Sequence, residues 1–383
     1  MVLRRSSSVL GARDLNRATL ARQLLLERVR MPAREAVGHL VGLQAQNVKP
    51  PYFQLHARLA GFRPGELAGL MEARDVVRMV TMRSTIHTHT AEDARALRPL
   101  VQPARDREVQ YFRKGLQGVD LGRLEALARE LVEEAPRTMA ELRQALLVQW
   151  PDADPQALAI AARCRLPLVQ VTPRGVWGRS GQVRLTTLEN WIGPAAPAVP
   201  PGEADPGAAA LDRVVLRYLR AFGPASVRDM QTWAGLTRLK EAFERLRPDL
   251  VVFRDEAGVE LFDVPDAPRP DPGTPAPPRF LPEFDNLLLS HADRRRVVPA
   301  DLKGRTWKGN QAHCTLLVDG FLGGVWKLVE APAARGEEVR LVVELFRDVD
   351  RAQRAEIVRE GESMLAVMTD AARSCVEFGP IGG

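Results

Sequence analysis

Cysteine is scarce in this chain: Cys164, Cys314 and Cys375 are the only three in 383 residues. They are odd in number and far apart, which excludes a disulfide framework and a cysteine zinc site and fits a reducing cytoplasm. No run of eighteen apolar residues occurs, so no membrane-spanning helix is expected. The first ten residues, Met1 to Leu10, carry arginines but no apolar core of signal-peptide length, and a frayed tail is expected there. There is no G-x-x-x-x-G-K-[ST] phosphate loop and no G-x-G-x-x-G following a strand. Gly361-Glu-Ser-Met-Leu365 departs from the G-x-S-x-G nucleophile pattern at its last position. The six histidines are scattered. His87 and His89 share one face of an expected strand, but no third ligand accompanies them. These absences leave no metal site, nucleotide cofactor or nucleophile triad, and a reaction without cofactors is expected.

What is present is ordinary for a globular protein, with 45% hydrophobic and 27% charged residues and length for two to four domains. The net charge is +6, the pI is near 9.6, and arginine supplies almost all of the positive charge. A basic balance points to a polyanionic partner, most simply nucleic acid. The arginine, alanine, proline and glycine enrichment of a GC-rich genome would give the same totals, so charge alone leaves both readings open.

Taken in order, the periodicity predicts a helix over 14–29 with Asp14 as its N-cap. A second helix runs from Pro32 to a glutamine pair, and a third starts near Pro51. β-rich runs follow at Val76–Met82 and Ser84–Thr90. Helices at Leu124–Leu131, after the capping box Thr138-Met-Ala-Glu141, and at 155–165 precede β runs at Leu168–Val171 and Val183–Leu188. The order recurs with Leu211–Phe222, with Ser226-Val-Arg-Asp229 opening the next helix, with Leu239–Leu246, and with a hairpin turning at Gly258. The fold class read from this is α+β: three tandem winged-helix motifs followed by a small β-rich C-terminal domain. The boundaries are 11–118, 119–192 and 210–265 for the motifs and 280–383 for the last domain. Linkers rich in Pro, Gly and Ala are expected at 193–209 and 266–279. The last domain should hold a hairpin at Asp319-Gly320, a third strand at Val339–Phe346, a helix from Asp350 to Met368 and a closing strand at Ser374–Phe378.

Two stretches carry candidate function. In Val41-Gly-Leu-Gln-Ala-Gln46, Gln44 falls seven positions after Val37, where the apolar stripe should continue. Gln46 lies roughly 200° further around a helix. The two amides converge only if the helix loosens near Gly42 and the chain becomes extended, because alternate residues of a strand share a side. The plainer reading is a pair of polar caps facing water. Farther on, Arg294-Arg295-Arg296 follows Leu287–Leu289 and His291, and Arg305, Trp307 and Lys308 come soon after. Cations among β-forming residues suit a hairpin pressed on a phosphate backbone, and a solvated loop is the alternative.

Gly42-Leu-Gln-Ala-Gln46, Met82-Arg-Ser-Thr-Ile-His87, Phe280-Leu-Pro-Glu-Phe-Asp-Asn-Leu-Leu-Leu-Ser-His-Ala-Asp-Arg294 and Thr315-Leu-Leu-Val-Asp-Gly-Phe321 together resemble the winged-helix DNA glycosylases of the AlkZ and YcaQ type. The similarity runs from about residue 14 to the C-terminus. It implies three tandem winged helices and a β-rich C-terminal region around a concave DNA-binding face. The catalytic motif of that family is Gln-x-Gln in one branch and Gln-x-Asp in the other. Gln44-Ala45-Gln46 resembles the first, whose members include self-resistance enzymes that excise bulky alkylpurines or unhook crosslinks. The resemblance therefore implies Gln44 and Gln46 as catalytic residues. It implies DNA contacts from Arg83, Thr85, His87, His291, Arg294, Arg295 and Arg296.

The chemistry is consistent with the residues. A purine alkylated at N7 is cationic and departs as a neutral base, so no strong general acid is required. The enzyme must stabilise an oxocarbenium-like sugar and hold a water. Amide oxygens can do both, but an amide is not a strong base, so the glycosidic bond must already be activated. Lys49, the only lysine nearby, has no support as a Schiff-base nucleophile. The expected partner is double-stranded DNA carrying alkylated purines. The protein is expected to be a monomer, off membranes, in the cytoplasm with the nucleoid. A non-enzymatic winged-helix regulator is the competing reading and has no need of the glutamine pair. A metal-dependent nuclease would need ligands that this sequence does not cluster.

Overall fold

A computed structural model of the chain describes residues 9–194, 206–309, 311–330 and 338–381. The first unit comprises β1 (Val9–Leu10), α1 (Ala12–Arg22), α2 (Ala33–His39), β2 (Leu43–Gln44), α3 (Pro50–Arg58), α4 (Pro64–Glu72), β3 (Val76–Val80) and β4 (Ile86–Thr90). The second comprises α5 (Ala91–Tyr111), α6 (Leu121–Glu134), α7 (Met139–Gln149), α8 (Pro155–Arg165), β5 (Leu168–Gln170), β6 (Leu185–Thr187) and α9 (Leu188–Ile192). The third comprises α10 (Pro206–Phe222), α11 (Val227–Ala234), α12 (Lys240–Leu246), β7 (Val251–Asp255) and β8 (Glu260–Asp263). The remainder holds β9 (Arg279–Leu281), α13 (Asn286–Leu289), β10 (Trp307–Lys308), β11 (Gln311–Ala312), β12 (Cys314–Val318), β13 (Phe321–Glu330), β14 (Glu338–Leu345), α14 (Arg351–Met368) and β15 (Arg373–Phe378). The architecture is mixed α+β.

Local signals account for most of these elements. Thr138 and Glu141 close a reciprocal capping box on α7, and Ser226 and Asp229 close one on α11. Asp350 caps α14. Asp14 departs from its expected role. It is the third residue of α1, and its carboxylate accepts from the Gly11 N–H at 2.9 Å, closing the box from inside the helix. That helix also stops at Arg22, earlier than its apolar spacing suggests, because Leu24 turns left-handed (φ 58°). The helices α4 and α5 were not legible as separate elements. α5 contains Pro99 and Pro103, residues that ordinarily argue against a helix interior.

Two hairpins expected in separate units join in one sheet of order β2-β4-β3-β5-β6, through antiparallel pairing of Arg78 with Gln170 and Met79 with Val169. The C-terminal sheet, β15-β14-β13-β12-β9, is antiparallel except for its β14–β15 pair. Its inner face shares one core with the first unit: Val37, Leu40 and Leu55 cluster with Leu316, Trp326, Val343 and Ile357. A second core joins α10–α12 to Val41 and Met82 of the first unit.

The expected linkers fare differently. Residues 195–205 lie outside the described residues, and Pro206 already opens α10. The second linker has no helix or strand before β9 begins at Arg279, but is held in place. Arg17 donates to Thr274 O at 2.6 Å, and Arg22 donates to Pro268 O at 3.2 Å. No hairpin forms at 294–296. That segment is a turn followed by a short 3-10 helix at Ala300–Leu302.

Candidate active site

The glutamine stretch adopts the extended geometry its spacing requires. α2 ends at His39, Val41 (φ 56°) and Gly42 (φ 97°) are left-handed, and the chain emerges as β2. Gly42 is needed twice over. It takes a backbone conformation that L side chains avoid, and a Cβ there would lie 2.2 Å from His89 Nδ1. Leu43 pairs with Thr88 and Gln44 with His87, and the Ala45 N–H continues the ladder to Ile86 O at 2.8 Å. Gln44 ends the edge strand β2, and Gln46 follows two residues later in the bend beyond it.

Their surroundings differ. Gln44 is 4% exposed. Its Oε1 accepts from Arg83 Nη2 at 2.6 Å, and its backbone carbonyl accepts from Gln54 Nε2 at 3.0 Å. Gln46 is exposed, with only a long 3.5 Å approach of the Ile86 N–H to its Oε1. One amide is anchored and the other is open.

Arg83 bridges elements far apart in sequence. It lies in the 3-10 turn Met82–Ser84 with φ 52°, and its Nη1 donates to Trp233 O at the end of α11. Gly235 allows that approach, since a Cβ there would lie 2.9 Å from the Arg83 backbone nitrogen. Burial, then nearby Arg294, pushes the Arg83 guanidinium down to about 10, so it stays charged at neutral pH.

His87 is buried, with Nε2 facing Arg83 at 3.5 Å and Nδ1 against Thr85 O at 3.0 Å. Thr81 Oγ1 links its Nδ1 (3.2 Å) to His89 Nε2 (2.9 Å). Burial, then Arg83, then His89 hold the His87 imidazole well below its ordinary value, so it is neutral at pH 7. An imidazole whose Nδ1–H donates to Thr85 O leaves its Nε2 lone pair towards the guanidinium. Thr85 is half-buried and spends its hydroxyl on Met82 O at 3.1 Å.

The second basic cluster divides. Arg294 and Arg295 are exposed, and Arg295 pairs with Asp293 at 2.6 Å. Arg296 is not the surface cation expected. It is buried and donates to Pro224 O at 2.9 Å and Thr19 Oγ1 at 3.2 Å. His291 is likewise interior, with Nε2 on Phe222 O at 2.9 Å, and burial followed by Arg296 pushes it down to about 3. In the Phe280–Arg294 stretch, Asp285 forms a fully buried bidentate pair with Arg58, both contacts 2.8 Å. Asn286 Nδ2 donates to Gly42 O at 2.7 Å. Glu283 accepts from Asn47 at 2.8 Å, beside Gln46. Sequence reasoning named none of Asn47, Gln54, Glu283, Trp233 and Gly235 as part of the site. The adjacency of Asn47 to the glutamines and the place of Glu283 within the Phe280–Arg294 motif were signals.

Among the described residues, no group of three or more His, Cys, Asp or Glu side chains is gathered for a metal. Among the same residues, no helix is long and apolar enough to cross a membrane.

The family model described as DNA glycosylase AlkZ-like matches residues 37–367. No curated protein sequence matches the chain. Among solved structures, Streptomyces sahachiroi DNA glycosylase AlkZ superposes with a TM-score of 0.75 at 18% identity, covering 97% of this chain and 100% of that one. That likeness extends the agreement in fold beyond the matched segment.

Proposed function

We propose that this chain, which belongs to the AlkZ-like family of DNA glycosylases, is monofunctional and hydrolyses the N-glycosidic bond of purines made cationic by bulky alkylation, N7-alkylguanine above all. The observation that carries this reading is the pair of amides at the end of the edge strand β2, Gln44 within it and anchored by Arg83, Gln46 just beyond it and open to solvent. In the reaction, the C1′–N9 bond breaks and its electron pair neutralises the cationic base, which leaves. Water adds to C1′ and gives its proton to solvent. The amides hold the water and direct dipoles at the developing oxocarbenium. Neither is a base, which restricts the enzyme to bonds that alkylation has already weakened.

Several finer assignments belong to the same reading. The three helix-then-hairpin units are winged helices, with α5 counted with the first as far as about 118 and further boundaries near 192, 210, 265 and 280. Thr85, Arg294 and Arg295 approach the phosphate backbone. Arg83 and His87 support the amides from beneath and reach the nucleotide through Gln44. The enzyme works as a monomer on duplex DNA in the nucleoid-bearing cytoplasm. Unhooking of interstrand crosslinks and self-resistance to an alkylating antibiotic follow if the adducts it removes are bulky. The test is incubation with duplex DNA carrying one defined N7-alkylguanine, followed by alkaline cleavage at abasic sites. Strand breaks at the lesion position support the reading. An adduct left intact under single-turnover conditions, by protein that binds the duplex, refutes it.

A further inference from the structure

We infer that Arg83 is a positioning residue that divides the labour of the two glutamines: it captures Gln44 Oε1, so Gln44 meets the substrate as a hydrogen-bond donor and Gln46 is left to accept from the water. This rests on the glycosylase reading of the pair.

A guanidinium only donates, so the amide atom facing it at 2.6 Å is oxygen, whichever way the amide would otherwise turn. The Gln44 Nε2 group is then the free end, with two N–H donors and no partner among the described residues. Arg83 itself is fixed from three sides. Trp233 O accepts from Nη1, His87 Nε2 faces Nη2, and the left-handed backbone of Arg83 packs against Gly235. A non-glycine residue in that conformation is uncommon and persists where its surroundings over-determine it. The clamp draws on the first unit through Gln44 and His87 and on the third through Trp233 and Gly235. Gln46 has no comparable anchor: its oxygen receives only the long 3.5 Å approach of the Ile86 N–H and keeps acceptor capacity for water. The cation at Arg83 also makes Gln44 Oε1 a poor stabiliser of a second positive charge, which leaves that task to Gln46.

The test combines kinetics with a readout that needs no catalysis. In single-turnover excision of an N7-alkylguanine from duplex DNA, Arg83→Met should lower the rate about ten- to a hundred-fold, the scale of a misaligned transition-state hydrogen bond. Affinity for undamaged duplex should change by less than about threefold, since the residue faces inward. Arg83→Lys should recover part of the rate, having one donor for Gln44. In a Gln44→Ala background, Arg83→Met should add less than about threefold, because residues that act as a unit are not additive. Gln44→Glu should fall as far as Gln44→Ala, because a carboxylate can still pair with Arg83 but offers no donor. Multiplicative loss in the double variant, or wild-type excision by Gln44→Glu, overturns the inference. In parallel, the side-chain amide resonance of Gln44 in the free protein, identified by its loss in Gln44→Ala, should be dispersed in wild type and collapse towards solvent values in Arg83→Met. An unmoved resonance overturns the clamp even if no excision is found. A moved resonance without excision leaves the clamp standing and removes the glycosylase reading.

Discussion

Two stretches of this chain bury polar side chains to a similar depth and use them differently. In Phe280–Arg296, the buried polar groups are consumed by the protein. Both oxygens of Asp285 take Arg58, with Oδ1 also accepting from the Leu287 N–H at 2.9 Å. Asn286 holds Gly42, His291 holds Phe222, and Arg296 holds Pro224 and Thr19. Apart from the local Leu287 bond, each crosses from one unit to another, so this stretch ties the first unit, the third unit and the C-terminal sheet together. At Gln44–Gln46, one amide oxygen is satisfied, the other end of that amide is not, and the neighbouring glutamine is open. Burial with full satisfaction marks scaffold. Burial with capacity left over, next to an exposed group of the same kind, marks a place where something else binds.

The sharpest way to break this contrast is at the open amide. Gln46→Ala should cut excision about ten- to a thousand-fold while leaving the thermal midpoint close to wild type, because an exposed side chain contributes little to folding. Gln44→Ala should lose as much rate with some loss of stability, and Gln46→Asp should retain part of the activity. Wild-type excision by both folded alanine variants would make the pair ordinary caps. The converse variant is Asp285→Ala. It strands the buried Arg58 guanidinium and should cost about 3–5 kcal/mol in denaturant unfolding. Any fraction that stays folded should excise at near-normal rate. A stable Asp285→Ala protein lacking activity would turn the contrast around.

Acid should act on both stretches together. His56 and His291 are pushed down to about 3 and His89 to about 4, with burial the largest cause at each, and His87 is held well below its ordinary value. Below the unfolded value near 6.5, the unfolded chain binds protons that the folded chain refuses, so stability rises with pH there. It is fully present above about 6.5 and falls as pH drops towards 4, each histidine contributing roughly 1.4 kcal/mol per pH unit. Equilibrium unfolding between pH 7 and 4.5 measures this, and a flat profile would mean that the rings are accessible. The smallest expected effect is at the exposed half of the arginine cluster. Neutralising Arg294 and Arg295 should reduce the salt slope of duplex binding by about 2 and weaken binding modestly. An unchanged slope removes that turn from the DNA face. Arg296 should not be included, since its loss would report on folding.

Much of the helix content was legible because caps and apolar periodicity are local. The Thr138, Ser226 and Asp350 boxes opened helices where the residues placed them. The exit from helix to strand at Gln44 was legible too, since Gly42 marks where the helix must loosen. α5 was not, because its two prolines are tolerated in a helix packed against the sheet through Ala94 and into the core of α10–α12 through Leu97. His291 and Arg296, expected at the surface, lie inside for the same kind of reason. A cation or an imidazole reads as surface in sequence, and only the approach of α10 and α11 provides carbonyls and a carboxylate to bury it.

By itself, then, the sequence determined the family and the α+β class. Those properties reside in residue types at short spacing. The tertiary structure alone decided which end of Gln44 is free, which arginines are surface and which are struts, and that the first two hairpins share one sheet. Each of these depends on a partner some 40 to 280 residues away, as Arg83 depends on Trp233 and Arg296 on Thr19. Nothing in the local pattern specifies such a partner until the chain has folded and a donor has been forced to find an acceptor.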